Sequence, residues 1–329
     1  MRLKPPRLSI PVPTDYVLWR DVCSYGYFLL EPNFWDPAAK AFRRVLTLVD
    51  PASKPRAVTV TITQTKKAEP LTATVDSKVT NAQATEIRAQ VTRMLRLDED
   101  AAHIRAFHKL DARWKKLGRG RLLRSPTFYE DVIKTVTSCN VTWPSTIAMN
   151  RRLCEHFGEA GASGLRGFPT AHQIARQRPA TLRARCGVGY RDARIVELSA
   201  MFAKGKLGGV PVEAFEDPAT PDDQIREWLI ELPGIGPYAA ANILQLLGRY
   251  GHLPLDTETV RHGRTVLGMK GPSPGIMKRV NAHFAPFGAH AFRAYWFEMW
   301  EFYESKRGRS WTWEREKTAS TFTAAKLKL

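Results

Sequence analysis

Residues 231–264, ELPGIGPYAAANILQLLGRYGHLPLDTETVRHGR, set Gly234 and Gly236 one residue apart and place Asp256 twenty residues after the second glycine. A carboxylate held in a water-poor setting stabilises positive charge developing on a reacting carbon, and it orients or deprotonates a water molecule. The glycines admit positive φ without a Cβ clash, so the chain can fold back tightly between two helical patterns, 221–231 and 237–248. Amides exposed at the start of the second helix, together with the positive end of its dipole, make a seat for a phosphate oxygen. Each feature also has a local reading. The glycines serve an ordinary capped joint, and Asp256 serves as the N-cap of a helix that holds Glu258 in its first turn and Arg261 and Arg264 further on.

Metal and thiol chemistry find little support. Cys23, Cys139, Cys154 and Cys186 stand far apart with no CxxC spacing, and the eight histidines are scattered. No Asp/Glu/His cluster has the spacing of a cation site, which counts against a metal-dependent nuclease. Reduced thiols, no metal and no cofactor are therefore expected.

The 329 residues carry 50 Lys and Arg against 32 Asp and Glu, a formal charge of +18. Such an excess suits a polyanionic partner, nucleic acid foremost, although a merely soluble basic protein has the same composition. The run RWKKLGRGRLLR, residues 113–124, is the densest cationic stretch and is expected to face phosphates. No apolar run approaches the ~18 residues of a membrane helix, and the proline-broken start MRLKPPRLSIPVPTDY lacks the apolar stretch of a signal peptide. The expectation is a protein that is not secreted, cytoplasmic and nucleoid-associated or else nuclear, with no membrane partner.

Two kinds of element must position these residues. CSYGYFLL, AFRRVLTLV, AVTVTITQ and LTATVDS are short β-branched and aromatic segments between turn-forming clusters, which predicts antiparallel strands. In AVTVTITQ, Val58, Val60 and Ile62 alternate with Thr59, Thr61 and Thr63, so one face is apolar and the other polar. From Asn81 the period becomes about 3.6, with Ile87, Val91, Met94 and Leu95 on one face, and helices are predicted for most of the remainder. The fold class is α+β: a small antiparallel β-sheet domain over 14–80, a helical domain over 81–305, and a loosely held, basic C-terminal tail over 306–329.

Hairpin plus aspartate at this spacing resembles the helix-hairpin-helix (HhH-GPD) DNA glycosylase superfamily. FYEDVIKTVTSCN, CGVGYRDARIVELS and the β-rich start are similar to the corresponding parts of the 3-methyladenine and 8-oxoguanine DNA glycosylases, over roughly residues 14–305. The resemblance implies a monomeric, cofactor-free enzyme of base-excision repair acting on double-stranded DNA with a damaged base, and it makes Asp256 the catalytic carboxylate. Members that also nick the strand carry a lysine two residues after the second glycine. Tyr238 stands there instead, which implies the single-function branch in which water is the nucleophile.

Tyr238, Asn242, Tyr295 and Trp296 are the implied base pocket, with Trp300 a further candidate, although aromatics at helical spacing also make a core. Asn140 is implied to fill the vacancy left by a flipped nucleotide and Tyr190 to wedge beside the orphan base, with Arg191 touching that base or a phosphate. Helix capping and packing are the local readings of Asn140 and Tyr190. Leu232, Gly234, Ile235, Gly236 and Arg261 are implied on the DNA backbone. Two positions depart from the 8-oxoguanine pattern: Tyr295 replaces a base-reading glutamine and Glu258 replaces a histidine. The lesion is thus left open between alkylated and oxidised purines, and a non-catalytic binder of distorted duplex on the same scaffold is the alternative.

Overall fold

A computed structural model describes residues 5–49, 55–315 and Thr318. Five strands form one antiparallel sheet: β1 (Arg7–Ile10), β2 (Asn33–Asp36), β3 (Ala41–Leu48), β4 (Arg56–Thr63) and β5 (Leu71–Val75), in the order β1-β5-β4-β3-β2. Val58, Val60 and Ile62 of β4 are buried and Thr63 is exposed, as alternation predicts, but Thr59 of the polar face is buried as well, its hydroxyl bonded to that of Ser163. The sheet starts earlier than expected, because Leu8 and Ile10 pair with Ala73 and Leu71 and add an edge ahead of residue 14.

The stretch CSYGYFLL is not a strand. Leu18–Val22 is a short helix and Gly26–Leu29 a 3-10 turn, and every residue from Cys23 to Leu30 is buried. Aromatic β-propensity expresses a fit to half-buried surface rather than a backbone preference, and full burial here overrides it. The turn carries Gly26 against the Trp143 ring, where a β-carbon would sit only 3.0 Å away.

Helices follow where the 3.6 period predicts them. Asn81–Met94 begins with a capping box between Thr80 and Gln83, and its Ile87, Val91 and Met94 are wholly buried. After Ala101–Leu110 and Ala112–Leu117, the longer helices that follow include Phe128–Ser138, Trp143–Phe157, Pro179–Cys186 and Asp192–Ala203. The hairpin helices Asp222–Ile230 and Pro237–Leu247 precede Thr257–Thr265, which begins after Asp256, and Ala291–Arg307 is the last long helix among the described residues.

Two hydrophobic cores divide the molecule differently from the linear reading. One joins the sheet to Phe107, Trp114 and Leu122 and to the late residues Tyr250, Tyr295, Trp300 and Trp313. The other gathers residues between Phe128 and Leu244, including both hairpin helices. The chain thus enters the second core and returns to the first. Beyond residue 305 the described chain is tied to this first core: Trp313 packs 5.4 Å from Trp300, and Trp35 Nε1 donates to the Trp311 carbonyl at 2.9 Å. Burial of indole area holds this part of the tail; Glu316, Lys317 and 319–329 lie outside the described residues.

The cationic run 113–124 is split: Arg113, Lys115 and Lys116 are exposed, whereas its second half is internal. Arg119 and Arg121 are each 2% exposed, and Arg124 is also buried. Arg119 Nη2 bonds Glu301 at 2.7 Å and Glu304 at 2.6 Å, Arg121 Nη1 bonds Asp15 at 2.6 Å, and Arg124 Nε donates to the Arg93 carbonyl at 2.8 Å. These three guanidiniums satisfy internal acceptors, so they are not phosphate contacts.

Candidate active site

Asp256 sits just before Thr257–Thr265 in extended backbone and closes a capping box with Thr259. Its Oδ1 accepts the Thr259 amide at 3.0 Å, while its own amide donates to Thr259 Oγ1 at 3.1 Å. The same Oγ1 lies 3.1 Å from the Tyr295 hydroxyl, so the last long helix braces the cap. The local reading of Asp256 is therefore correct as far as it goes. Capping occupies one carboxylate oxygen, however, and the residue also lines a cleft of about 910 Å³. Burial pushes the Asp256 carboxyl up to about 6, against a backbone hydrogen bond from Thr259 that lowers it, with the charge of Glu258 adding to the rise. Glu258 borders the cleft too, its Oε2 accepting from Tyr303 Oη at 2.6 Å and from Arg261 Nε at 2.8 Å.

The cleft lies where the two cores meet. Tyr25, Tyr27, Tyr295 and Trp296 of the first core line it, as do Asn140, Tyr238 and Asn242, whose chain neighbours Cys139, Val141, Ala239 and Ile243 pack in the second. Asp256 and Glu258 are the carboxyl groups of its lining; among the described residues no Lys, Arg or His side chain contributes, although the protein carries +18. Trp296 stacks between Phe292 (5.9 Å) and Trp300 (5.3 Å), faces Tyr25 at 4.6 Å and donates its indole N–H to the Ser24 carbonyl at 2.8 Å. Trp300 is wholly buried behind it and belongs to the core. Burial, and then the Asp256 charge, hold the Tyr238 phenol well above its ordinary pKa, so it remains a neutral ring. Asn242 Nδ2 donates to the Tyr238 carbonyl at 3.1 Å, and Tyr25 Oη approaches Asn242 Oδ1 at 3.5 Å.

Tyr25, Tyr27 and Tyr303 also line the cleft, and the sequence does not single them out. The first two lie in a segment read as a strand, and nothing local marks residues that meet the site only through the fold.

The hairpin turn 232–235 closes with the Ile235 amide on the Leu232 carbonyl at 3.1 Å. Pro233 occupies its second position and Gly234, at φ 78°, its third, which is the arrangement of a type II turn. The side chains of Leu232 and Ile235 are buried and their amides are committed to carbonyls, so these two residues offer no donor to a phosphate. Gly234 and Gly236 are exposed, and among the described residues their amides meet no acceptor. Helix Pro237–Leu247 follows directly and leaves its first-turn amides unpaired.

At the cleft rim Asn140 adopts a left-handed backbone, φ 52°, one residue beyond the Cys139 C-cap of Phe128–Ser138. Its Nδ2 donates to Tyr190 Oη at 3.3 Å, and Tyr190 is 51% exposed. Arg191 takes a different place from the one expected. It is buried, and its guanidinium donates to the carbonyls of Cys139 and Val188, tying the two rim loops together rather than reaching outward. Arg261 likewise turns inward, bonded to Glu258 and lying over the rings of Phe302 (4.8 Å) and Tyr303 (5.1 Å). In both cases a guanidinium within reach of internal acceptors or ring faces gains more from them than from water.

No family model and no curated protein sequence matches the chain. Solved structures do. The 3-methyladenine DNA glycosylase from Archaeoglobus fulgidus superposes with a TM-score of 0.64 at 19% identity, over 91% of this chain and 99% of that one. MBOgg1 in complex with a low-affinity DNA ligand gives 0.67 at 17% identity, over 93% and 98%. The apo 8-oxoguanine glycosylase/lyase of Clostridium acetobutylicum gives 0.60 at 14% identity, over 83% and 92%. This chain, with its antiparallel sheet, helical remainder and cleft between two cores, thus shares the fold of these solved DNA glycosylases.

Proposed function

We propose that the protein is a single-function DNA glycosylase that removes a damaged purine, alkylated or oxidised, from double-stranded DNA. The observation that carries this reading is the Asp256 carboxylate, capped through one oxygen and set in an aromatic cleft whose described lining has no cationic side chain. A base extruded into the cleft meets the ring faces of Tyr238, Trp296 and Tyr25. As the N-glycosidic bond breaks, its electron pair leaves with the base and positive charge grows on the sugar. Asp256 stabilises that charge, and it takes a proton from the water whose oxygen bonds to C1′. The hairpin amides of Gly234 and Gly236 suit a backbone phosphate, and the rim pair Asn140–Tyr190 suits the space the base vacates.

Tyr238 at the hairpin position and a described cleft lining without lysine support hydrolysis over amine attack. A panel of duplexes, each with one alkylated or oxidised purine, incubated with the protein and then cleaved with alkali, tests the reading. Excision of at least one lesion by the wild type and none by Asp256→Asn is the expected result. Lesion binding without excision by the wild type would establish the non-catalytic alternative.

A further inference from the structure

Arg194, on helix Asp192–Ala203, plays no part in the site described so far. Its aliphatic stem packs on the hairpin turn so closely that a β-carbon on Gly234 would stand 2.6 Å from Arg194 Cδ. Its guanidinium carbon lies 5.2 Å from the centroid of the Tyr190 ring, which Arg191 also covers at 4.4 Å. One side chain therefore touches both the phosphate-facing turn and the wedge. Arg191 is spent on two carbonyls. Arg194 is exposed, and among the described residues no carboxylate or carbonyl accepts from it; Glu197, one turn on, makes no ion pair with it. Two guanidiniums on one exposed ring without a carboxylate repel each other, and beside them the Gly234 and Gly236 amides add further positive potential. An anion relieves this arrangement.

We propose that Arg194 binds a phosphodiester of the DNA where the strand passes from the hairpin to the wedge, so that docking on Gly234 and Gly236 sets the position of Tyr190. The proposal rests on the DNA-binding reading above. Gly234 then serves two ends: its positive φ closes the turn, and its missing side chain lets Arg194 reach the phosphate.

The test compares wild type, Arg194→Met, Arg194→Lys and Lys67→Met, the last removing an exposed charge in the β4–β5 connection, well apart in sequence from hairpin and wedge. Affinity for an undamaged duplex and for the same duplex with a stable abasic site is measured from low to moderate salt, with a thermal melt of each variant. Arg194→Met keeps the stem on Gly234, so its melt is expected to match wild type, while the slope of log affinity against log salt becomes shallower by about 0.9, one phosphate's worth. Arg194→Lys is expected to retain the slope, and Lys67→Met to leave it unchanged. A slope in Arg194→Met equal to wild type, a lowered melt with an unchanged slope, or an equal loss in Lys67→Met would overturn the proposal while leaving DNA binding by the hairpin intact. A wild-type affinity that does not respond to salt would instead remove the DNA-binding reading on which it stands.

Discussion

The side-chain amide of Asn140 donates to the hydroxyl of Tyr190 at 3.3 Å, joining two exposed loops that lie fifty residues apart in the chain. Neither group is buried, so the bond is held by the loops beneath it, where Arg191 fastens the carbonyls of Cys139 and Val188. Under the proposed function this pair is the wedge, and a pair joined this way acts as a unit. Asn140→Ala and Tyr190→Ala are each expected to slow single-turnover excision from duplex DNA markedly and to affect single-stranded or mismatched substrates less, because extrusion costs a few kcal/mol mainly in paired DNA. The double variant should lose less than the product of the single losses, since each truncation already breaks the shared bond. Equal losses on both kinds of substrate would assign the pair a purely structural role.

Asp256→Asn separates capping from catalysis. The amide oxygen of asparagine still accepts the Thr259 amide, and Asn and Asp are near-equal N-caps, so the melt should stay close to wild type. Excision should fall by at least about 10²–10³-fold, as when a single electrostatic stabiliser is lost, with lesion-DNA affinity kept or tightened. A normal rate would confine Asp256 to its cap.

Excision should have an acid limb governed by Asp256, whose carboxyl is raised from 3.8 to about 6. Below about pH 6 the rate should drop about tenfold per pH unit, and above it the rate should level off. Stability runs the other way. Between the two values the folded protein holds a proton that the unfolded chain has released, so this group's contribution to stability is present at low pH and is lost as pH rises through about 6. Glu258→Gln removes a neighbouring negative charge and should move the acid limb to lower pH. A pH–rate profile of single-turnover excision for both proteins reads these shifts, and coincident limbs would show that Glu258 does not act on Asp256.

Borohydride trapping should yield no covalent protein–DNA adduct, and the abasic product should stay whole until alkali is added, because Tyr238 has no amine and no lysine lines the cleft among the described residues. An adduct with wild-type protein would place a lysine at C1′ by a rearrangement of the cleft.

Arg119→Ala is expected to destabilise the fold by about 1.5–3 kcal/mol, since it removes one of the two guanidiniums on the buried Glu304 carboxylate and leaves Arg309 and the Ser310 amide on it, yet to leave the salt dependence of DNA binding unchanged. Chemical denaturation and salt titration of the same preparation check both halves.

Short-range patterns carried much of this structure. Pro233 and Gly234 meet the dihedral demands of the turn, Asp256 and Thr259 stand at capping spacing, and Val58, Val60 and Ile62 alternate along β4. These rules act within a few residues, so the type and order of residues determine them. The likeness to solved DNA glycosylases, at 14–19% identity, is one of fold.

Only the tertiary structure decided where each side chain ends. Arg119, Arg121, Arg191 and Arg261 look from the sequence like cations for a polyanion, yet each finds an internal acceptor or ring face. Arg194, no more conspicuous in the sequence, stays exposed between turn and wedge. Tyr25 and Trp296 come within 4.6 Å from opposite ends of the chain, and the cleft exists because two cores close against each other around them. Long-range burial of apolar surface sets those meetings, and no local propensity encodes them.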